Sequence, residues 1–364
     1  MPTDVTPKDF RLPGPEGSTD IAELSRADST AHARGEIPSS HGLTKLLGVT
    51  SRREFLSVAA TAGAVALAPG RGAAAPVPAA GALSVSVFSK HLQYLDDRAL
   101  AETVAEAGFD GIDLPVRPGG HVRPERVGED LPKMVEAARA AGVSIPMITT
   151  AITSARDPHA EAVLETAGRL GIRHYRLGWL PYDRSRGILG TIEALRSPLR
   201  DLAALNERCG TRGGYQNHAG ERVGSAVWDL YLLLKEVGSP WLGCQYDIRH
   251  AVVEGSSSWP NALRLIAPLV HTVDVKDSHW ARTEKGWEAA NVPLGEGAVN
   301  LGAFFRLLAE LGVEVPVSLH FEYPFPETGG PAERRKAAVA LMKRDRERLR
   351  AVMAEAAPAG AART

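Results

Sequence analysis

Residues 213–250 read GGYQNHAGERVGSAVWDLYLLLKEVGSPWLGCQYDIRH. Residues 213–218 and 241–247 read as strands, and residues 225–237 between them as a helix. A strand, a helix and a second strand in this length make a βαβ unit, which lays its two strands parallel. The same alternation extends outward in both directions. Strands are predicted at 83–88, 109–116, 143–149 and 174–180 before this unit, and at 270–275 and 315–321 after it. Asp96 or Asp97 caps a helix carrying Leu100, Val104 and Ala107, which Gly108 stops. Further helices are predicted at 132–141, 158–170, 187–208, 259–268 and 301–311. A last one at 331–356, dense in Arg, Lys and Ala, closes the ring. Eight repeats predict a closed (β/α)8 TIM barrel of the α/β class, a single domain over residues 83–357. No Gly-x-Gly-x-x-Gly follows the first strand, which argues against a dinucleotide-binding sheet.

A barrel of this kind needs about 250 residues, so a chain of 364 residues has extensions. Residues 1–50 are polar, show no apolar period and are predicted to be disordered, as is the tail 358–364. Residues 51–82 have the form of an export signal. Ser51-Arg52-Arg53-Glu54-Phe55-Leu56 is followed by an apolar run at 58–69 and a zone of small residues and prolines at 70–82. The paired arginines resemble a twin-arginine address. The run is shorter than the roughly 20 residues of a membrane span. The expectation is an exported protein, periplasmic or extracellular, with no stable membrane insertion after cleavage. The net charge of -1 supplies no basic surface for nucleic acid. The two cysteines, Cys209 and Cys244, lack metal-binding spacing and are expected to be buried.

Active sites of such barrels form where the strands end. Those ends carry Asp113, Arg117 and His121; Arg176, Trp179 and Tyr182; Gln216, Asn217 and His218; Gln245, Asp247, Arg249 and His250; His271, Asp274, Lys276, Asp277 and His279; and His320 and Glu322. Polar groups in a barrel interior cost several kcal/mol unless paired, so they must pair, bind metal or face a wet pocket. Strand alternation sorts them. Ser318, His320 and Glu322 share one face of the last strand, and Thr272, Asp274 and Lys276 one face of the seventh. His271 lies on the opposite face and is expected to be structural. Gln245 and Asp247 share a face of the sixth. Converging Asp, Glu, His and Gln side chains suit a divalent ion such as Mn²⁺, Mg²⁺, Co²⁺ or Zn²⁺.

At these residues the chain resembles the sugar phosphate isomerase/epimerase superfamily, whose barrels are similar to xylose isomerase and endonuclease IV. The marks are Gly108-Phe109-Asp110-Gly111-Ile112-Asp113, Tyr215-Gln216-Asn217-His218, Asp247-Ile248-Arg249-His250, Val275-Lys276-Asp277, Pro293-Leu294-Gly295-Glu296-Gly297 and Glu322. The resemblance implies a divalent metal held from the fifth to eighth strands, here by Gln216, Asp247, Asp274 and Glu322. Two of these depart from the family pattern: Gln216 stands where an acid is usual, and Asp274 where a His is usual. Gln216 cannot act as a base, which puts the two-glutamate proton shuttle of the family in doubt.

The resemblance implies proton removal next to a carbonyl of a small-molecule sugar, with a metal stabilising the enediolate. Glu322 is the expected base, with Lys276, His320 or His250 as partner acid. Lys276 is alternatively expected to pair with Asp277. Arg117, His121, Arg176, Trp179 and His218 are expected to line the substrate end, Trp offering a stacking face and Arg planar donors. An exported enzyme points to a non-phosphorylated sugar. A lyase or hydrolase using the same enolisation, and a sugar-binding barrel without catalysis, are the other readings. A homodimer or homotetramer is compatible with all three.

Overall fold

The computed structural model describes residues 83–325 and 329–357. The predicted disordered extension (1–50), export signal (51–82) and tail (358–364) lie outside the described residues. Strands β1 (Val85–Phe88), β2 (Gly111–Pro115), β3 (Ser144–Thr149), β4 (His174–Arg176), β5 (Arg212–Gln216), β6 (Leu242–Asp247) and β7 (Val270–Val275) follow one another in parallel pairs. A two-stranded antiparallel hairpin, β8 (Asp277–Thr283) and β9 (Gly286–Val292), interrupts the series. Strand β10 (Val317–His320) then pairs with both β7 and β1 and closes an eight-stranded barrel.

Helices α1 (Asp97–Glu106), α2 (Val127–Ala140), α3 (Ala160–Arg169), α4 (Gly187–Cys209), α5 (Val227–Val237), α6 (Ile248–Gly255), α7 (Trp259–Ile266), α8 (Leu301–Glu310) and α9 (Pro331–Ala356) surround it. Asp96 caps α1 by accepting the Ala99 N–H, as its position before an apolar-periodic run predicts. Among the described residues, no helix is long and apolar enough to cross a membrane.

Alternation along the strands splits two environments. Ile112, Leu114, Ile148, Tyr175, Tyr215, Tyr246, Val273 and Leu319 join Leu100, Leu131, Leu230, Leu263 and Phe304 in one buried apolar cluster between strands and helices. Each such side chain contributes about 1.5–3 kcal/mol when fully buried. The residues between them, Asp113, Gln216, Gln245, Asp247, Asp274, Ser318 and His320, are also buried, but in the barrel interior. The apolar core therefore lies in the outer shell, and the axis is polar toward the strand ends.

Three elements differ from expectation. The fourth strand stops at Arg176, four residues early. A separate helix, α6, starts directly at the end of β6, ahead of the predicted one. The β8–β9 hairpin has no counterpart in the sequence reading. Trp280 and Trp287 on it are exposed, so it lacks the one-sided apolar alternation by which a half-buried strand is recognised.

Helices α3 and α4 meet tightly at Gly168, where an added Cβ would lie 1.9 Å from the Cys209 carbonyl oxygen. Gly168→Ala should lower stability by about 1–3 kcal/mol, because backbone must shift to admit the methyl group. Equilibrium denaturation would measure it, and an unchanged midpoint would contradict this packing.

Candidate active site

The site is assembled from local hydrogen bonds that aim each strand end. Asp247 is held by its neighbour on β5: Asn217 Nδ2 donates to the Asp247 carbonyl at 3.0 Å, and Asn217 Oδ1 accepts the Asp247 N–H at 2.8 Å. The Asp247 carboxylate accepts the His250 N–H at 3.0 Å and so caps α6. The Asp-x-x-His spacing is thus also that of a helix cap, with its acceptor three residues before the amide it binds.

Asp277 serves a different purpose from the expected one. Its carboxylate accepts the N–H groups of Ser278, Gly295, Gly297 and Val299 at 2.8–3.1 Å. A Cβ at Gly297 would lie 2.1 Å from Asp277 Oδ1, so a side chain there would break the cradle. This ties the loop after the hairpin back to the end of β7. Lys276 therefore does not pair with Asp277. Its ammonium lies inside the barrel mouth, 3.1 Å from Asp247 Oδ2 and 3.3 Å from Glu322 Oε1.

Lys276 is 3% exposed, and a buried ammonium is tolerated only when paired this closely. Burial would raise the Glu322 carboxyl, but the Lys276 ammonium beside it holds it well below the usual carboxylate range. Burial would likewise lower the His320 ring, but the Asp274 carboxylate overrides this and raises its pKa to about 9. His320 Nε2 lies 3.3 Å from Asp274 Oδ1 and 3.9 Å from Asp113 Oδ2, and Nδ1 lies 3.7 Å from Glu322 Oε1. Asp113 accepts Thr149 and Ser318 hydroxyls, each at 2.8 Å.

The four residues expected to hold a metal come together but do not present four ligand atoms to one point. Gln216 Nε2 donates to Asp247 Oδ2 at 3.0 Å and to Asp274 Oδ2 at 2.6 Å. Arg176 Nη1 donates to Gln216 Oε1 at 3.3 Å. Turning the amide over would set its NH₂ against a guanidinium and its oxygen against two carboxylates, so Arg176 fixes Gln216 as a donor. Gln245 Nε2 also donates to both Asp274 oxygens, at 2.8 Å each. The place between Asp247 and Glu322 is taken by Lys276. This donor arrangement does not fit a metal at the expected set. A different group, Asp113, Asp274 and His320, offers ligand atoms that all lie within 4.8 Å of one another. Those three can take up a divalent ion only once His320 gives up its proton.

A cavity of about 90 Å³, open at its mouth, sits above this network. Phe88, Lys90, Arg117, Arg176, Trp179, Gln216, His218, Lys276 and Glu322 line it. Of the residues expected at the substrate end, Arg117, Arg176, Trp179 and His218 are on its wall. His121 is not: its Nε2 meets the Ser89 carbonyl at 3.1 Å. His250 lies behind His218, their rings 3.8 Å apart, with Nε2 3.6 Å from Asp247. Burial keeps both rings neutral, lowering His218 to about 4 and His250 further. Trp179 is already packed by Arg176 at 4.8 Å, Arg222 at 4.9 Å and His218 at 4.5 Å, so it offers less bare face than expected. His271 turns outward to the Gly213 carbonyl, and His279 is exposed on the hairpin. Phe88 and Lys90, at and after the end of the first strand, were absent from the sequence reading. Their position at a strand end was the only signal for them.

Two outcomes follow from the network. Gln216→Glu would exchange the bridging donor for a carboxylate, and calorimetry should then show Mn²⁺ or Zn²⁺ binding at least about tenfold tighter than in the unaltered protein. Equal affinities would refute the role of Gln216 as an internal donor. His320 is raised above its ordinary 6.5, so its contribution to stability is complete below about 6.5 and is lost as pH rises through about 9. The melting temperature should fall across that window, and more steeply than in His320→Asn.

A family model described as xylose isomerase-like TIM barrel matches residues 101–352, more than half of the chain. No curated protein sequence matches it. Among solved structures, it is similar to the IOLI protein with a bound zinc atom, at a TM-score of 0.59 and 16% identity over 76% of this chain and 99% of that one. It is also similar to D-psicose 3-epimerase from Clostridium cellulolyticum H10 (TM-score 0.56, 14% identity, 74% and 99% covered). A third similar structure is 3-keto-D-glucoside 4-epimerase of E. coli (TM-score 0.53, 14% identity, 71% and 99% covered). With the closed barrel and the matched span together, the chain belongs to the xylose isomerase-like TIM barrel family.

Proposed function

We propose that the protein is a sugar isomerase or epimerase that moves a proton next to a carbonyl. The observation that carries this is the pairing of Lys276 and Glu322, 3.3 Å apart, on the wall of one cavity at the strand ends. Enolisation needs a base at the C–H and a positive group at the carbonyl oxygen, within reach of neighbouring atoms. Glu322 is held ionised and is the base. Lys276 faces the carbonyl oxygen and stabilises the negative charge that develops there. His320, protonated and 3.7 Å from Glu322, helps to keep this base ionised until it takes up the proton. His218, neutral on the wall, accepts or donates at a sugar hydroxyl. No step runs through a metal, since Gln216 and Lys276 already satisfy the acids expected to bind one.

The epimerase structures of similar fold support the reaction class. The paired arginines and apolar run within residues 51–82 support, as part of the same proposal, a reaction outside the cytoplasm on a sugar that is not phosphorylated.

Incubation with a panel of keto sugars in D₂O, with and without Mn²⁺, should introduce deuterium at the carbon next to the carbonyl. Glu322→Gln should reduce the exchange rate by about 10²–10⁴-fold. An absence of deuterium uptake across the panel would refute the reading, and fragments in place of isomers would identify a lyase.

A further inference from the structure

The cavity wall is more cationic than the reaction requires. Lys90, Arg117, Arg176 and Lys276 face it, against one carboxylate, Glu322. Lys276 is neutralised between Asp247 and Glu322. The other cations are not matched in the same way. Lys90 is 3.9 Å from Glu322 and half-exposed. Among the described residues, neither the Arg117 nor the Arg176 guanidinium has a carboxylate within 4.0 Å. Asp113 and Asp274 lie deeper than Arg176, but hydroxyl and amide donors and the protonated His320 already take them up.

Arg176 is 4% exposed and its Nε has no hydrogen-bond partner. A buried guanidinium N–H left without a partner costs free energy unless a ligand supplies the acceptor. Both guanidinium carbons lie over the Phe88 ring, Arg117 at 5.6 Å and Arg176 at 5.5 Å from its centroid. The ring face holds the two planar groups beside each other without neutralising them.

We propose that the substrate is an acidic sugar, a uronic or keto-aldonic acid type, whose carboxylate is bound by Arg117 and Arg176 over Phe88. This rests on the sugar-directed reading above and names its substrate class. Planar guanidinium groups match a carboxylate through paired N–H donors. A phosphate ester fits less well. Barrels of this kind bind phosphate with backbone N–H groups in the loops after their last strands. Here the corresponding amides, of Gly295, Gly297 and Val299, are consumed by the Asp277 carboxylate. The anion must then be recognised by side chains, and the side chains available are the two arginines.

The test is calorimetry on the full protein with D-glucuronate, 5-keto-D-gluconate, D-glucose and D-glucose 6-phosphate. At least one of the two acids should bind about tenfold or more tighter than glucose and also tighter than the phosphate ester, and added salt should weaken that acid but not glucose. Arg117→Met should remove most of this discrimination while leaving the melting temperature of the ligand-free protein within a degree or two, as expected of a partly buried side chain without an ion pair among the described residues. Equal binding of acid and neutral sugars, tighter binding of the phosphate, or discrimination that survives Arg117→Met would each overturn the proposal. The deuterium experiment separates this from the reaction class. Neutral keto sugars that exchange while acids do not bind would sink the acidic substrate alone. Acids that bind with selectivity but never exchange would sink the proton transfer alone.

Discussion

A lysine ammonium buried between two carboxylates organises the mouth of this barrel. Lys276 lies 3.1 Å from Asp247 and 3.3 Å from Glu322. Removing one partner from such a buried pair typically costs about 3–5 kcal/mol, because the remaining charge is left without water or a counter-ion. The pair therefore constrains everything around it. Glu322 stays ionised because Lys276 is there, and Lys276 stays inside the barrel because Asp277, its sequence neighbour, is engaged by four backbone amides.

The same logic extends across the barrel axis. Asp274 is balanced by a protonated His320, and Gln216 bridges Asp247 and Asp274 as a donor because Arg176 holds its oxygen. The site carries its own cations and donors at the residues expected to hold a metal. Reactivity then depends on preorganised charge. The Lys276 ammonium is already desolvated, so it needs little reorganisation when charge develops on a bound carbonyl. The polar axis costs packing that an ordinary barrel interior would gain, and the apolar shell between strands and helices supplies the stability instead.

Much of this was legible in the chain. The strand–helix period located all eight barrel strands and the closing helix, because burial on one face imposes a repeat that local sequence must carry. Alternation also identified the inward faces of β7 and β10: Asp274 and His320 face the axis, and His271 faces away. The hairpin β8–β9 escaped, since both its tryptophans are exposed and no one-sided apolar pattern marks it. Phe88 and Lys90 escaped because an apolar residue and an exposed lysine at a strand end look like ordinary barrel filling. His121 was placed at the cavity from its position after the second strand, but its ring binds the Ser89 carbonyl instead.

Sequence alone determined the (β/α)8 barrel and which residue types stand at its strand ends, because element type and facing direction are set by neighbours a few positions away. Tertiary structure decided the pairing: Lys276 with Asp247 and Glu322 and not Asp277, Gln216 as donor and not ligand, Arg117 and Arg176 side by side over Phe88. Asp113 and Ser318, which share a hydrogen bond, are 205 residues apart in the chain. Distances of a few ångströms between groups so remote in sequence leave no periodic trace, and they arise only when the barrel closes and brings β10 against β1.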